Sequence, residues 1–314
     1  MFASRTAQVI LRWFTLGVFA AMFVLFSILQ PNVFPTWDNV KTILDLSAPV
    51  LILSVGLTVV LTTGEFDLSF TGLVSLVAVL AVKTELSDGV VSALLLALLV
   101  GIGGGLVAGL LVAAQRASSF IVTLALGAVW GGLALGISGG GGSTLLGVSD
   151  AYKEIAQTQV GGIRVTIIYA LVAAVLAAFL LRSTVFGREA QAVGNNAEAA
   201  RLAGIRLGWV RIGAFVFLGL CAAVAAILLT ARSGSYSPGI AGGLLIPPYV
   251  AAFFGTSVLA AGRFNVFGTV VGGLFIATLE TGLVVAGLLS WVSTAIVGAV
   301  LLLILFIAAQ ARKS

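Results

Sequence analysis

The sequence contains no histidine and only one cysteine, Cys221. Without histidine, the chain cannot use an imidazole as an acid–base catalyst or a metal ligand, and it cannot build a Ser-His-Asp triad. A single cysteine forms no disulfide within the chain, and alone it does not complete a zinc site. We therefore expect no catalytic residues, no metal and no cofactor in this chain.

The sequence also lacks the glycine-rich loop with which many ATPases hold phosphate. That loop ends in Gly-Lys-Ser or Gly-Lys-Thr, whereas the four lysines of this chain follow Val, Val, Tyr and Arg. The chain is therefore not expected to bind ATP in this way. Any work driven by ATP must be delivered by a separate subunit.

Charged residues are scarce, at 9% of 314 residues, whereas soluble domains carry about 25%. Hydrophobic residues make up 60% of the chain, and the mean hydropathy is +1.21. A soluble fold of this length cannot hide so much apolar surface, so the excess must face lipid. The composition thus predicts an integral membrane protein.

Ten apolar runs are long enough to cross a bilayer. They predict an all-α, polytopic fold with about ten transmembrane helices in a single membrane domain, residues 1–314. The second and third runs are short for a full crossing. The runs are 13–29, 48–63, 68–82, 90–114, 119–138, 163–181, 210–231, 244–261, 266–289 and 291–309.

The distribution of Lys and Arg predicts the orientation of these helices. When the N-terminus is placed inside and the sides alternate, eleven of the sixteen Lys and Arg residues fall in inside segments. Inside loops of membrane proteins collect positive charge, so the net charge of +5 indicates membrane topology better than a nucleic-acid partner. The N-terminus, the loop 182–209 and the C-terminus are predicted to be cytoplasmic.

Two connectors suggest an internal symmetry. The second run leads through residues 64–67 into the short third run, and the seventh leads through residues 233–239 into a shortened eighth run. Interrupted helices at corresponding positions of two inverted halves are typical of a transport path. Glycine and proline at these places also fit ordinary loop ends, so the inverted repeat is one of two open interpretations.

The inside loop 182–209 contains a segment with strong helix signals. Asn195 or Asn196 can cap a helix that runs from Ala197 to Ala203, and Gly204 supplies a left-handed stop. A helix this short does not persist alone in water, so it needs another subunit, the membrane part of this chain, or a lipid surface. The whole segment is Asn195, Asn196, Ala197, Glu198, Ala199, Ala200, Arg201, Leu202, Ala203, Gly204 and Ile205.

Charged residues inside apolar runs are costly and usually functional. Glu280 lies midway in the ninth run, and Glu65 and Asp67 lie where the second run meets the third. We expect Glu280 to point into the protein. Asp67 fits two roles, and an N-cap for the third helix is favoured over a place on the transport path.

Glycines also mark one face of the fourth run. Gly101, Gly105 and Gly109 recur at every fourth residue, so they lie on one side of a helix. Such a face allows another helix to approach closely.

Several segments resemble one family. Gln191–Asn196 followed by Ala199–Ile205 is similar to the cytoplasmic signature of the ribose-type permease subunits of bacterial ABC sugar importers. Thr63–Ser69 resembles a stretch in the first half of that family, and Pro248–Thr256 with Gly262–Thr269 resembles one in its second half. The similarity covers nearly the whole chain and is weakest before residue 45 and at 139–162.

The resemblance implies a permease in the bacterial cytoplasmic (inner) membrane that pairs with a second permease chain. It further implies two ATP-hydrolysing subunits and an extracytoplasmic sugar-binding protein, with Asn195–Ile205 as the coupling helix docked on an ATPase. Family members often carry Asn where this chain has Glu280, so sugar contacts are not transferred to that position. The residues assigned to the translocation path are Glu65, Asp67, Ser69, Tyr249 and Glu280.

The sequence therefore predicts a non-enzymatic permease subunit of an ATP-driven importer for a monosaccharide or related polyol. The alternative is a stand-alone secondary transporter or channel for a small polar solute, with Glu280 or Asp67 as a proton or ion site. The arginine-rich inside loop with its capped helix favours the importer, because a secondary transporter needs no dock for an ATPase.

Overall fold

The computed structural model describes residues 5–114, 118–140, 144–256 and 263–311. Outside the described residues lie both chain ends (1–4 and 312–314) and residues 257–262. The latter include the end of the eighth apolar run and Gly262, the first residue of the family-like stretch Gly262–Thr269. The helices are α1 Arg5–Leu29, α2 Trp37–Thr62, α3 Phe70–Ala114, α4 Ser119–Ile137, α5 Asp150–Gln157, α6 Val165–Ser183, α7 Val185–Asn195, α8 Ala197–Leu202, α9 Leu207–Ser233, α10 Ile246–Gly255, α11 Val266–Val285 and α12 Ser290–Ala311.

The strands are short and pair in two antiparallel ribbons. β1 (Leu145–Leu146) pairs with β4 (Ser235–Tyr236), and β2 (Gln159–Val160) pairs with β3 (Ile163–Arg164). Both ribbons lie in connections between apolar helices, so helices form the body of the fold.

Six helices in the described part of the chain are long and apolar enough to cross a membrane: α2, α3, α4, α6, α9 and α11. Three shorter apolar stretches accompany them, at Leu16–Leu29, Ile246–Gly255 and Trp291–Leu303. The prediction of an all-α, multi-pass membrane protein is therefore confirmed.

Helix α3 is folded back on itself at Gly89. This residue has φ 81° and ψ 177°, a backbone conformation that glycine adopts without a Cβ clash. Leu73, before the break, lies against Gly104 after it, so closely that a Cβ on Gly104 would overlap the leucine side chain. In a straight helix these residues would be about 46 Å apart. The two parts of α3 therefore pack side by side, as the separate third and fourth apolar runs predict.

The glycine face of α3 packs against α9, as expected. A Cβ on Gly101 would lie 2.6 Å from the carbonyl oxygen of Gly219, and one on Gly109 would lie 2.7 Å from the Cα of Ile212. Gly105 is equally close to the backbone of Phe215. The missing side chains thus allow the two helix backbones to touch.

Helix α2 lies at the centre of the protein. Its residues from Ala48 to Leu61 are all buried, and it contacts α6, α9, α10 and α11. In the first half of α2, Asp45 accepts a 2.7 Å hydrogen bond from the hydroxyl of Thr166 and lies 3.6 Å from the Arg164 guanidinium.

The sequence did not predict α5, which lies within the loop 139–162. Ser149 caps this helix by accepting a hydrogen bond from the Tyr152 amide. The buried Tyr152 hydroxyl shares a 2.8 Å hydrogen bond with Thr230 of α9. The amide of Ser149 also donates to Glu85 of α3. The segment around α5 is therefore fixed to α3 and α9.

Candidate functional site

Helix α8 forms where the sequence predicts it. The Asn196 side chain accepts a 3.0 Å hydrogen bond from the Ala199 amide, so Asn196 is the N-cap and Asn195 is the last residue of α7. Gly204 has φ +86°, and the Ile205 amide closes the helix end with a 3.1 Å bond to the Ala200 carbonyl. Ala203 is the C-cap, which makes the helix one residue shorter than predicted.

One side of α8 is held and the other is exposed. Ala200 is buried in a small cluster with Ala190, Val193 and Val210. On the outer side, Glu198 and Arg201 form a 2.5 Å ion pair, which lowers the pKa of Glu198 chiefly through the hydrogen bond from Arg201. Leu202 is 78% exposed. The helix therefore presents one leucine beside a charged pair to its surroundings.

Helix α7 precedes α8 and was missed by the sequence interpretation. Thr184 caps it by accepting a 3.2 Å hydrogen bond from the Gly187 amide. Its buried residues Gly187, Ala190 and Val193 recur at three-residue spacing, a pattern that was available in the sequence. The loop 182–209 is thus two consecutive short helices.

The end of α7 rests on the end of α2. A Cβ on Gly194 would overlap the carbonyl oxygen of Thr62, and a Cβ on Gly64 would lie 3.5 Å from the Cα of Gly194. This contact requires glycine at position 194, because any side chain would separate the two segments.

The stretch 63–69 joins α2 to α3 and contains three predicted site residues. We call it the connector. Glu65 forms a 2.7 Å ion pair with Arg211 of α9, and their side chains are only 13% and 23% exposed. Arg211 was not among the predicted site residues, since nothing local in the sequence joins it to Glu65.

The Asp67 carboxylate binds the backbone at the start of α3. It accepts a 2.6 Å hydrogen bond from the amide of Ser69 and another from the Ser69 hydroxyl. The carbonyl of Ser69 accepts the 2.9 Å bond from Leu73, and α3 begins at Phe70. Ser69 therefore occupies the N-cap position expected for Asp67, but the side chain that binds the amides at the helix start, those of Ser69 and Phe70, is that of Asp67.

Helix α4 holds the connector on one side. The Phe66 amide donates to the hydroxyl of Ser119, and the Leu68 amide donates to the hydroxyl of Thr123, both at 3.0 Å. Irregular backbone in the interior of a membrane protein needs such partners because lipid supplies none. These two hydroxyls therefore stabilise a non-helical stretch between two apolar helices.

Tyr249 of α10 meets the connector on the other side. Its hydroxyl donates a 2.6 Å hydrogen bond to the Asp67 carbonyl oxygen. Its ring lies between Phe66 and Phe253, with centroid distances of 6.3 Å and 6.4 Å. The structure therefore places Tyr249 against the connector that carries Glu65, Asp67 and Ser69.

Glu280 does not belong to this group. Helix α11 packs on α10 where Gly272 meets Ala251, and Glu280 lies eight residues, about 12 Å, further along α11. Its side chain is half-buried, between the buried Leu279 and Thr281. Among the described residues, no hydrogen bond or ion pair of its carboxylate is seen.

Comparison with known proteins identifies the family. The family model for the permease component of the branched-chain amino acid transport system matches residues 39–305. The ribose import permease protein of Bacillus subtilis (strain 168) is 32% identical, over 92% of this chain and 90% of its own. The L-arabinose ABC transporter permease protein of Azospirillum brasilense is 32% identical, over 91% and 84%.

A third relative, the D-allose transport system permease protein of Escherichia coli (strain K12), is 28% identical over 86% of this chain and 82% of its own. All three are similar to this chain along nearly its full length, which includes the connector and the loop 182–209. The resemblance to the ribose-type permease subunits of bacterial ABC sugar importers is confirmed, and the chain belongs to this family of transport-system permease components.

Proposed function

We propose that this protein is the permease subunit of an ATP-driven importer for a monosaccharide or a related polyol. The family description names branched-chain amino acids, whereas the three relatives compared are named for ribose, allose and arabinose. A sugar is favoured because these relatives match over most of both chains. The permease supplies the membrane path and no covalent chemistry.

The proposed partners are a second permease chain, two ATP-binding subunits and an extracytoplasmic sugar-binding protein in the bacterial cytoplasmic membrane. The need for separate ATPase subunits follows from the missing P-loop. We place residues 182–209 against those subunits as a cytoplasmic coupling loop of the single membrane domain.

The exposed face of α8 is the observation that carries this proposal. A six-residue helix is not stable on its own, yet this one is capped at Asn196, stopped at Gly204 and anchored through Ala200. Such a helix moves as one body with the helices on either side. Its outer residues Glu198, Arg201 and Leu202 are free to enter a groove on an ATPase subunit.

We further propose ten membrane crossings, with both termini in the cytoplasm. The fold of α3 at Gly89 supports two crossings within that helix, and the three shorter apolar stretches supply the remaining ones. The contact of Gly194 with Thr62 supports a common side for the connector and the coupling loop. The Lys and Arg asymmetry makes that side the cytoplasmic one.

An inverted repeat also fits the arrangement. Helix α2 leads through the connector into α3, and α9 leads through residues 234–245 into α10. The two interrupted segments meet where Tyr249 bonds to Asp67. We propose that the path passes this meeting point and that it includes Glu65, Asp67, Ser69, Tyr249 and Glu280.

Reconstitution tests the proposed function. The permease would be purified with its ATPase subunits, placed in liposomes, and supplied with the sugar-binding protein and internal ATP. We expect uptake of a labelled pentose or hexose and none of leucine or valine. Uptake of leucine in place of sugar would overturn the substrate class, and uptake by the permease alone, driven by an ion gradient, would overturn the importer.

A further inference from the structure

Two contacts lie on either side of the coupling helix α8, and both reach the short stretch 62–65. Before α8, Gly194 rests on the backbone of Thr62 and Gly64. After α8, Arg211 pairs with Glu65 at 2.7 Å. The segments before and after α8 are therefore both joined to the stretch 62–65, one through α7 and the other through α9.

The connector is in turn bound tightly to its own half of the protein. Ser119 and Thr123 of α4 accept hydrogen bonds from its amides, and a Cβ on Gly127 of α4 would lie 3.0 Å from the Leu68 carbonyl oxygen. Packed protein interiors have little free space and transmit small displacements. A displacement at residues 62–65 must therefore carry the rest of the connector with it.

On its far side, the connector touches the second half of the chain at Tyr249. The phenol donates to the Asp67 carbonyl at 2.6 Å, and the Phe66 ring stacks on the tyrosine ring at an interplanar angle of 18°. Tyr249 is 8% exposed. A displacement of the connector therefore acts directly on α10.

We propose that the connector is the relay by which the coupling loop moves α10, with Gly194 and Arg211 as its input and Tyr249 as its output. Tyr249 is thus a positioning residue: it shifts α10 when the coupling loop moves with the ATPase. This inference rests on the proposed function, because it presupposes an ATPase that acts on α8. It adds a route within the protein from α8 to α10.

Replacing Tyr249 by phenylalanine tests the output. Tyr249→Phe keeps the stacked ring and removes the hydroxyl. We expect ATPase subunits to stay bound and ATP hydrolysis to remain stimulated, while solute transported per ATP falls at least about fivefold, the low end of typical coupling between two sites. The matched control is Tyr152→Phe, which removes a buried 2.8 Å phenol hydrogen bond between α5 and α9. Its transport per ATP should equal that of the wild type.

Replacing Gly194 tests the input. In Gly194→Ala the new methyl group overlaps Thr62, whereas in Gly103→Ala, in α3 and outside the coupling loop, the methyl group meets no atom within 4 Å. We expect only Gly194→Ala to lower transport per ATP. If the two sites lie on one route, the double variant Gly194→Ala/Tyr249→Phe should lose no more coupling than the stronger single variant.

The outcomes separate the relay from the function. A wild-type complex that shows no ATP-dependent uptake overturns the proposed function, and the relay with it. A working wild type with full coupling in Tyr249→Phe overturns the relay alone. The relay is also overturned if the double variant shows the multiplied losses of independent sites.

Discussion

The Tyr249 hydroxyl donates a 2.6 Å hydrogen bond to the carbonyl oxygen of Asp67, 182 residues earlier in the chain. The acceptor lies in the non-helical connector after α2, and the donor lies in the short helix α10. Nothing in the sequence around either residue predicts this contact. Their contact joins the connector to α10, and it lies two residues along the chain from the Glu65–Arg211 pair.

We expect Gly204 to be the most sensitive residue of the proposed coupling helix. Gly204→Val should cost about 1 kcal/mol or more, since residues with a Cβ are strained at its φ of +86°. We expect an inserted permease that loses its ATPase subunits during purification, or whose ATPase is no longer stimulated by loaded binding protein. Gly204→Asn is the control, because asparagine tolerates this conformation. Normal ATP-dependent uptake in Gly204→Val, with ATPase bound, would disprove the coupling-helix assignment.

The proposed topology can be checked with cysteines at two exposed sites. Arg188 of α7 and Glu154 of α5 are exposed, and the native Cys221 is buried. In intact cells, an impermeant thiol reagent should label Glu154→Cys and leave Arg188→Cys unlabelled until the cytoplasmic side is opened. Labelling of Arg188→Cys from outside would reverse the orientation.

The pair Glu65–Arg211 should contribute measurably to stability. Glu65→Gln leaves the charge of Arg211, whose side chain is 23% exposed, without its partner. We expect the free energy of unfolding to fall by about 1–3 kcal/mol. The matched control is Glu198→Gln, since the exposed pair with Arg201 contributes little. Thermal unfolding in detergent should show a lower midpoint for Glu65→Gln alone. Equal midpoints would mean that the connector is held without this pair.

The contact between α3 and α9 should not tolerate a methyl group. In Gly105→Ala the new Cβ overlaps the Phe215 carbonyl, whereas in Gly103→Ala it meets no atom within 4 Å. We expect Gly105→Ala to destabilise the protein by about 1–3 kcal/mol and Gly103→Ala to leave it unchanged or slightly more stable. Thermal unfolding of the purified variants measures both. A stable Gly105→Ala protein would contradict the close approach of the two helices.

Glu280 should matter for transport more than for folding. Glu280→Gln keeps the size of the side chain and removes a charge for which no partner is seen among the described residues. We expect an unchanged or raised thermal midpoint and a changed KM or rate of uptake. Wild-type uptake by Glu280→Gln would remove this residue from the proposed path.

Much of the fold could be predicted because its causes are local. Apolar runs mark the membrane helices, Asn196 and Gly204 mark the ends of α8, and Gly101, Gly105 and Gly109 mark one helix face. In each case, the residues that produce the feature lie within a few turns of one another. The helices α5 and α7 were missed because they are short and polar, and their stability comes from the surfaces on which Tyr152 and Ala190 pack.

The sequence by itself determined that this chain is an all-α membrane protein of the permease family with a capped helix in the loop 182–209. Only the tertiary structure decided that Glu65 pairs with Arg211, that Gly194 rests on Thr62, and that Tyr249 meets Asp67 while Glu280 stands apart. Local propensity and hydropathy act between neighbours in the chain. Contacts between distant segments depend on how complete helices pack, which no short stretch of sequence encodes.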